Sequence, residues 1–356
     1  MEYFISETLD GVADQKTAGS KARIDVNSIF AEEIDNPIFL KIPSGFGQKG
    51  NLLKKINGQL TALKGWKNAT KNLKSGDRVF IQFPFFVHSV FLSKVFKKLK
   101  KRKVELIFLV HDLTWVQTGS STAFRRKMRI CKEREQFNYA DKYIVHNDKM
   151  AEYLVDSGID KNKLIILEIF DYLIPEYNEE RISQRKNEKS GPIIIAGNLA
   201  QYKSKYVYDL PNSGEWNLFG PNYSGEEKEF VHYMGAFPPD ELPYELNGSF
   251  GLIWDGDSCD TCSGKWGEYL KINNPHKTSL CLASGIPVII WKEAALADFI
   301  IENRCGLAVS SLTEIALAIS NLTDEQYDEM CRNAKKTGQM LRGGHFTKKA
   351  IEKILK

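Results

Sequence analysis

The stretch Lys271–Ile300, KINNPHKTSLCLASGIPVIIWKEAALADFI, decides the reading of this chain. It opens on polar groups, Asn273, Asn274, His276 and Lys277. It then runs through an apolar segment of helical length, turns at Gly285 and Pro287, and ends in a strand, PVIIW. The preceding GLIWDGD reads as another strand and the loop after it, so the whole is a strand–helix–strand unit of a parallel sheet. Pro275 suits the first helical turn, where a missing N–H costs nothing. The polar cluster therefore sits at a helix N-terminus, beyond the carboxyl ends of the strands. Free backbone N–H groups and the positive helix end favour an anion there. Lys277 adds a full charge, and Asn274 and His276 add donors, a set suited to a phosphate or diphosphate. Simple capping by Asn273 and Asn274 explains the asparagines but leaves Lys277 unused.

The same alternation extends to both sides. In the first half, strands are expected at YFIS, RVFIQFPF, VELIFLVHD, KYIVHN and KLIILEIFDY (Lys163–Tyr172), with helices near Ser20–Ile34, Leu52–Ala69, Ser89–Lys103, Thr122–Phe137 and Asp148–Asp156. In the second half, PIIIAGNL, WNLFGP, FVHYMGAF, GLIWDGD, PVIIW and GLAVSS alternate with helices near Asp240–Leu246, Pro275–Ala283, Ala294–Asn303, Leu312–Ile319 and Asp324–Leu341. Continuous apolar strands between amphipathic helices indicate parallel sheets covered on both faces. The chain has 356 residues, and single cores stop growing at about 250–300. The expected organisation is an α/β protein of two Rossmann-like domains facing across a cleft, at 1–174 and 191–340. A polar linker would occupy 175–190, and a C-terminal helix, 341–356, could pack back on the first domain. The cleft is the default ligand site.

Composition excludes several classes. The opening MEYFISETLDG carries acids early and no signal-like apolar core, and no apolar run approaches the ~20 residues that span a bilayer. A cytoplasmic chain is expected, with contact at the inner face of the membrane left open. Six cysteines in a chain of this length make no disulfide framework. Cys259 and Cys262 form a lone C-x-x-C without two further metal ligands, so they read as free loop thiols. No paired-aspartate metal motif stands out, and neither metal nor cofactor is expected. Lys and Arg number 49 against 45 Asp and Glu. The excess gathers in Lys97–Lys103 and in Arg125–Arg134, which suits an anionic lipid surface or a solvated helix face. No nucleic-acid module is visible.

At this point the residues resemble a family. PHKTSLCLASGIPVI looks like the donor-site helix of GT-B glycosyltransferases, and KEAALADFIIENRCGLAVSSLTEI continues the likeness. The nearer resemblance is to a bacterial subgroup of galactofuranosyltransferases from polysaccharide loci and streptococcal glucosyltransferases of serine-rich adhesins. GLIWDGDSCDTCSGKWGEYLKINNPHKTSLCLASGIPVIIWKEAA is its most specific piece. One departure stands out: many GT-B enzymes carry a ribose-binding glutamate five residues before the glycine, and here that position is Leu280.

The resemblance implies a GT-B fold and hexosyl transfer from a UDP-sugar to a glycan acceptor, with a lipid-linked acceptor and a homo-oligomer both compatible. UDP-galactofuranose is preferred to UDP-glucose on the DGDSCDTCSG segment. Nucleotide-binding candidates are Gly19 and Ser20 before the first helix, Tyr202, Lys203 and Lys205 in the loop after PIIIAGNL, and Asn274, His276 and Lys277. Asp255 and Asp257 are placed to bind sugar hydroxyls. Asp112, just past a buried strand, could take the proton of an acceptor hydroxyl, and Asp14 is its rival. Two other classes remain: a nucleotide-sugar isomerase or epimerase, and a silent GT-B-like subunit that binds a partner enzyme.

Overall fold

A computed structural model describes residues 1–8, 20–41, 52–117, 124–185, 188–226 and 228–356. The first half runs β1 (Glu2–Thr8), α1 (Lys21–Glu33), β2 (Asn36–Lys41), α2 (Leu52–Ala69), β3 (Arg78–Phe83), α3 (Ser93–Lys101), β4 (Glu105–Val110), α4 (Thr114–Gln117), α5 (Phe124–Phe137), β5 (Lys142–Val145), α6 (Asp148–Asp156) and β6 (Leu164–Ile166). The second runs α7 (Glu179–Ser183), β7 (Ile193–Ala196), β8 (Trp216–Phe219), β9 (Val231–Gly235), α8 (Leu242–Glu245), β10 (Phe250–Ile253), α9 (Gly264–Tyr269), α10 (His276–Ala283), β11 (Val288–Trp291), α11 (Ala297–Glu302), β12 (Gly306–Val309), α12 (Ile315–Ser320), α13 (Asp324–Arg342) and α14 (His345–Leu355). Among the described residues these strands form two six-stranded parallel sheets, ordered β2-β1-β3-β4-β5-β6 and β12-β11-β10-β7-β8-β9.

Each sheet is apolar on both faces, as its strand sequences require. In β3 and β4, Val79, Ile81, Leu106 and Phe108 bury into one cluster with Phe96 of α3 and Trp66 of α2. The intervening Phe80 and Ile107 face the opposite way, into a core that includes Phe30 of α1 and continues into the second domain. α3 buries Val95, Phe96 and Leu99 and exposes Lys97, Lys98 and Lys101, with Lys100 paired to Asp141.

Several elements differ from expectation for local reasons. β2 carries Pro37 and an exposed Phe39 and buries little besides Leu40, so it has no continuous apolar run. It is an edge strand, where proline is tolerated. The strand expected at Lys163–Tyr172 ends at Ile166, because the chain then leaves the sheet to cross between domains. α9 holds Gly264 and Gly267, poor helix formers, and was not expected. Within 175–190 the chain forms α7, capped by the Asn178 side chain on Arg181 N.

α14 returns to the first domain. Phe346, Ala350, Ile351 and Ile354 are buried, Lys348 pairs with Glu32 of α1, and the Ile354 carbonyl accepts from Arg78. The Asp171 carboxylate caps the helix from the crossover, accepting from Phe346 N at 3.2 Å and Thr347 N at 2.7 Å. Gly344, at φ 71°, makes the turn before the helix, and a Cβ there would meet Ile29 at 2.9 Å. Ile351→Ala should lower the unfolding free energy by about 2–5 kcal/mol, read from urea unfolding; a loss within error would mean that α14 packs more loosely than its burial indicates.

Candidate functional site

In the second sheet, β8 and β9 continue to one side of β7 while β10, β11 and β12 continue to the other. The loops after β7 and β10 therefore diverge and open a crevice beyond their carboxyl ends. A short parallel bridge between Ser204 and Gly256 ties these loops. Gly256, at φ 111°, lies so close to Ser263 that a Cβ would come within 2.1 Å of its carbonyl oxygen, so only glycine fits. Facing the crevice are the residues after β4 and β5 of the first sheet.

The two sides are joined by Asn274. Its backbone N–H donates to His146 Nδ1 at 2.9 Å, and its side-chain amide donates to the His146 carbonyl at 2.9 Å and the Glu168 carbonyl at 3.0 Å. Its Oδ1 accepts from Asn147 at 2.7 Å. Because Nδ1 accepts, His146 carries its proton on Nε2, which donates to the Val110 carbonyl at 3.0 Å. Burial holds its pKa down to about 4, so it stays neutral. Asn274 was expected to serve a ligand; its donors and its oxygen are spent joining the domains.

His276 is likewise engaged within the protein. Its Nε2 donates to the Asp171 carbonyl at 3.2 Å and its ring stacks on Tyr172 at 4.9 Å. Nδ1 is then a bare acceptor with no hydrogen-bond partner among the described residues. Burial lowers the pKa to about 4. A neutral ring with its one N–H already used offers no donor to a phosphate.

Lys277 lies on the crevice side of α10. Its ammonium donates to the Trp254 carbonyl at 2.6 Å and to Asp255 Oδ1 at 3.0 Å. An ammonium has three protons, so one remains. Asp255 is thereby a partner for Lys277, whereas Asp257 is exposed and its carboxylate sits over Gly264 at the start of α9. Lys203 lies over the Trp266 ring at 5.4 Å and makes no ion pair among the described residues. Tyr202 is exposed, with its hydroxyl accepting from Asn198 at 3.2 Å. Lys205 is exposed, and Ser20 precedes α1 without a side-chain cap. Asp14 and Gly19 lie outside the described residues.

Asp112 follows β4 and faces this group. Burial raises its pKa to about 6, against the opposing pull of Arg23, a Tyr269 hydrogen bond, Lys203 and Gln117. Gln117 Nε2 donates to Asp112 Oδ1 at 2.5 Å. Arg23 is itself buried, its guanidinium over Phe86, bonded to the Pro84 carbonyl and 3.7 Å from Glu7. His111 turns away to Gln82 at 2.6 Å and stacks on Phe170.

Two surface cavities, about 310 Å³ beside Lys189 and Trp216 and about 530 Å³ beside Tyr177 and Arg342, contain none of these residues. Among the described residues no group of His, Cys, Asp and Glu could hold a metal ion. Nor is any helix among them long and apolar enough to cross a membrane.

Comparison with known proteins places this arrangement. Residues 2–169 match the N-terminal domain, and residues 193–354 the C-terminal domain, of glucosyltransferase 3-like proteins. The chain belongs to the glucosyltransferase 3-like family. It is 34% identical over 344 residues to the beta-1,6-galactofuranosyltransferase WbbI of Escherichia coli (strain K12), covering 96% of this chain and 95% of that one. It is 26% identical to glucosyltransferase 3 of Streptococcus gordonii, over 78% of each chain. The fold is that of sucrose-phosphate synthase from Thermosynechococcus elongatus, with a TM-score of 0.64 at 14% identity over 99% of this chain and 98% of that one. The protein is thus a glycosyltransferase with the expected GT-B fold.

Residues that sequence reasoning missed are Tyr269, Trp266 and Gln117. The aromatic pair at i, i+3 in KWGEY was the available signal. Asn274→Ala should cost about 1–3 kcal/mol of stability by leaving buried carbonyls of the first domain unpaired, measured by thermal unfolding, while ligand affinity changes less; the opposite order would return Asn274 to the ligand.

Proposed function

We propose that this glycosyltransferase moves galactofuranose from UDP-galactofuranose to a hydroxyl of a bacterial surface glycan. The observation that carries the reading is Asp112: a half-buried carboxylate at a strand end, with its pKa raised to about 6, opposite Lys203. The donor choice is supported by the galactofuranosyltransferase relative, which is more similar than the glucosyltransferase relative. UDP-glucose is the second reading, favoured by the family match itself.

Asp112 accepts the proton of the acceptor hydroxyl as that oxygen bonds to the anomeric carbon. The bond from that carbon to the diphosphate oxygen breaks, and its electron pair leaves with UDP. Negative charge on the departing phosphate is met by Lys203 and by the remaining N–H of Lys277. Lys203 supplies the larger share, because Asp255 already offsets the charge of Lys277. Tyr202 and Asp257 stand at the rim, placed for the nucleotide and the sugar.

The carboxylate form of Asp112 prevails above its raised pKa and is lost below it. The transfer rate should therefore fall about tenfold per pH unit below pH 6, and Asp112→Asn should lose about 10²–10⁴-fold in kcat with little change in UDP affinity. A full rate in that variant would remove Asp112 from the reaction. Lys203→Ala and Lys277→Ala should each weaken UDP binding about tenfold or more, ~1.4 kcal/mol by calorimetry. Unchanged affinity in both folded variants would move the diphosphate elsewhere.

A further inference from the structure

We propose that the outer helical layer of the first domain, formed by α2 and α3, is a docking surface for an anionic phospholipid bilayer. The positive charge of the chain is gathered there. Residues 36–104 hold 16 Lys and Arg and one acid, Asp77, whereas the rest of the chain holds 33 Lys and Arg against 44 Asp and Glu. Asp77 is buried and turned inward, accepting from Lys74 N at 2.6 Å. Neither α2 nor α3 contains an acidic residue.

The two helices lie side by side. Their buried rings, Trp66 and Phe96, meet edge-on at 5.7 Å. Gln59 of α2 accepts from Ser89 Oγ at 3.0 Å and from Val90 N at 2.8 Å, just before α3 begins. Arg102, past the end of α3, donates to the Thr70 and Lys71 carbonyls past the end of α2, at 3.2 and 3.1 Å. The layer is thus tied at both ends. On α2, Ile56, Leu60, Lys64 and Lys67 follow at i+4, i+4 and i+3, so they share one stripe. All four are exposed, Ile56 at 46% and Leu60 at 49%. α3 adds the exposed Lys94, Lys97, Lys98 and Lys101. None of these six lysines forms an ion pair among the described residues, whereas Lys100 turns aside to Asp141. Exposed aliphatic side chains beside unpaired ammonium groups suit a lipid interface, where lysines meet headgroup phosphates and the aliphatic groups enter the acyl boundary. A nucleic acid would use the charge and leave Ile56 and Leu60 without a role. Both helices start at the edge where the strands end, so Ile56 and Leu60 lie toward the cleft end of the layer. Docking there would bring the mouth of the cleft toward the bilayer.

The test is co-sedimentation of the full-length protein with vesicles of phosphatidylcholine alone and of phosphatidylcholine mixed with phosphatidylglycerol in equal parts. No substrate is added, so the result does not depend on the transfer chemistry. The mixed vesicles should bind about tenfold or more tighter than phosphatidylcholine, and the excess should shrink in high salt. Lys97→Gln, Lys98→Gln and Lys101→Gln together should remove about tenfold or more of that affinity. Lys335→Gln with Lys336→Gln, an exposed basic pair on α13 of the second domain, should leave it unchanged. Ile56→Ser with Leu60→Ser should weaken binding to the mixed vesicles and leave less of it in high salt. The comparison of the two vesicles with the unaltered chain stays decisive if a variant fails to fold. Equal binding to both vesicles, or full binding by the folded triple lysine variant, would overturn the proposal. So would full binding by the Ile56 and Leu60 variant together with equal affinity for a DNA duplex, which would make the layer a general polyanion surface. A smaller oligomer in the Ile56 and Leu60 variant, by sedimentation velocity, would assign the face to a second copy of the chain and overturn it too.

Discussion

The contact on which the cleft depends is the hydrogen bonding of Asn274 to His146. Two parallel sheets, each with its own apolar faces, could sit together in many ways. The loops after β4 and β5 are brought opposite the loops after β7 and β10 by a directional set of bonds. Asn274 uses its backbone N–H, both amide hydrogens and its oxygen on groups of the first domain. The arrangement requires a neutral imidazole, because His146 must accept on one nitrogen and donate from the other. Burial supplies that neutrality by disfavouring the charged form. Ser279 Oγ, which donates to the Phe170 carbonyl at 2.6 Å, and His276 extend the joint along α10. The helix whose N-terminus was expected to grip a ligand thus uses much of its polar surface to set the geometry in which a ligand could be gripped.

Charge in the cleft is distributed by the same logic. Lys277 is compensated by Asp255, and Arg23 lies beside Glu7. Burying either cation without its partner would be costly. Lys203 is half-exposed and rests on the Trp266 ring, with no ion pair among the described residues. Asp112 is half-buried, and desolvation outweighs the opposing pull of Arg23 first and of Lys203 and Gln117 after it, which leaves its pKa between that of a free carboxylate and neutrality. A carboxylate in that range can both exist as a base near neutral pH and hold a proton once it has taken one.

α14 adds a second tie. It follows α13 of the second domain yet packs on α1 and caps against Asp171 in the crossover. The crossover is bonded on both sides: Tyr172 donates to the Pro239 carbonyl at 2.7 Å, and Lys21 of α1 reaches the Leu173 carbonyl, Asp25 and Asp240. Relative movement of the domains must therefore work against a belt of short polar contacts around residues 168–174.

The sequence by itself determined the two parallel sheets, because runs such as LIFLV and PVIIW are apolar at every position and need cover on both faces. It also determined the helix His276–Ala283 with polar groups at its start, and the place of Asp112 beyond a strand. It left β2 hidden, since an edge strand with Pro37 and exposed Phe39 has no such run. It also left α9 hidden, since two glycines in six residues mask a helix that tertiary contacts hold. What only the tertiary structure decided is how the polar residues at the cleft divide their work. Asn274, His276 and Lys277 lie within four positions of one another. One joins domains, one packs neutral against Tyr172, and one keeps a proton for the crevice. That division depends on which carbonyls, rings and carboxylates the other domain brings within 3 Å or so, and no local pattern of residues carries that information.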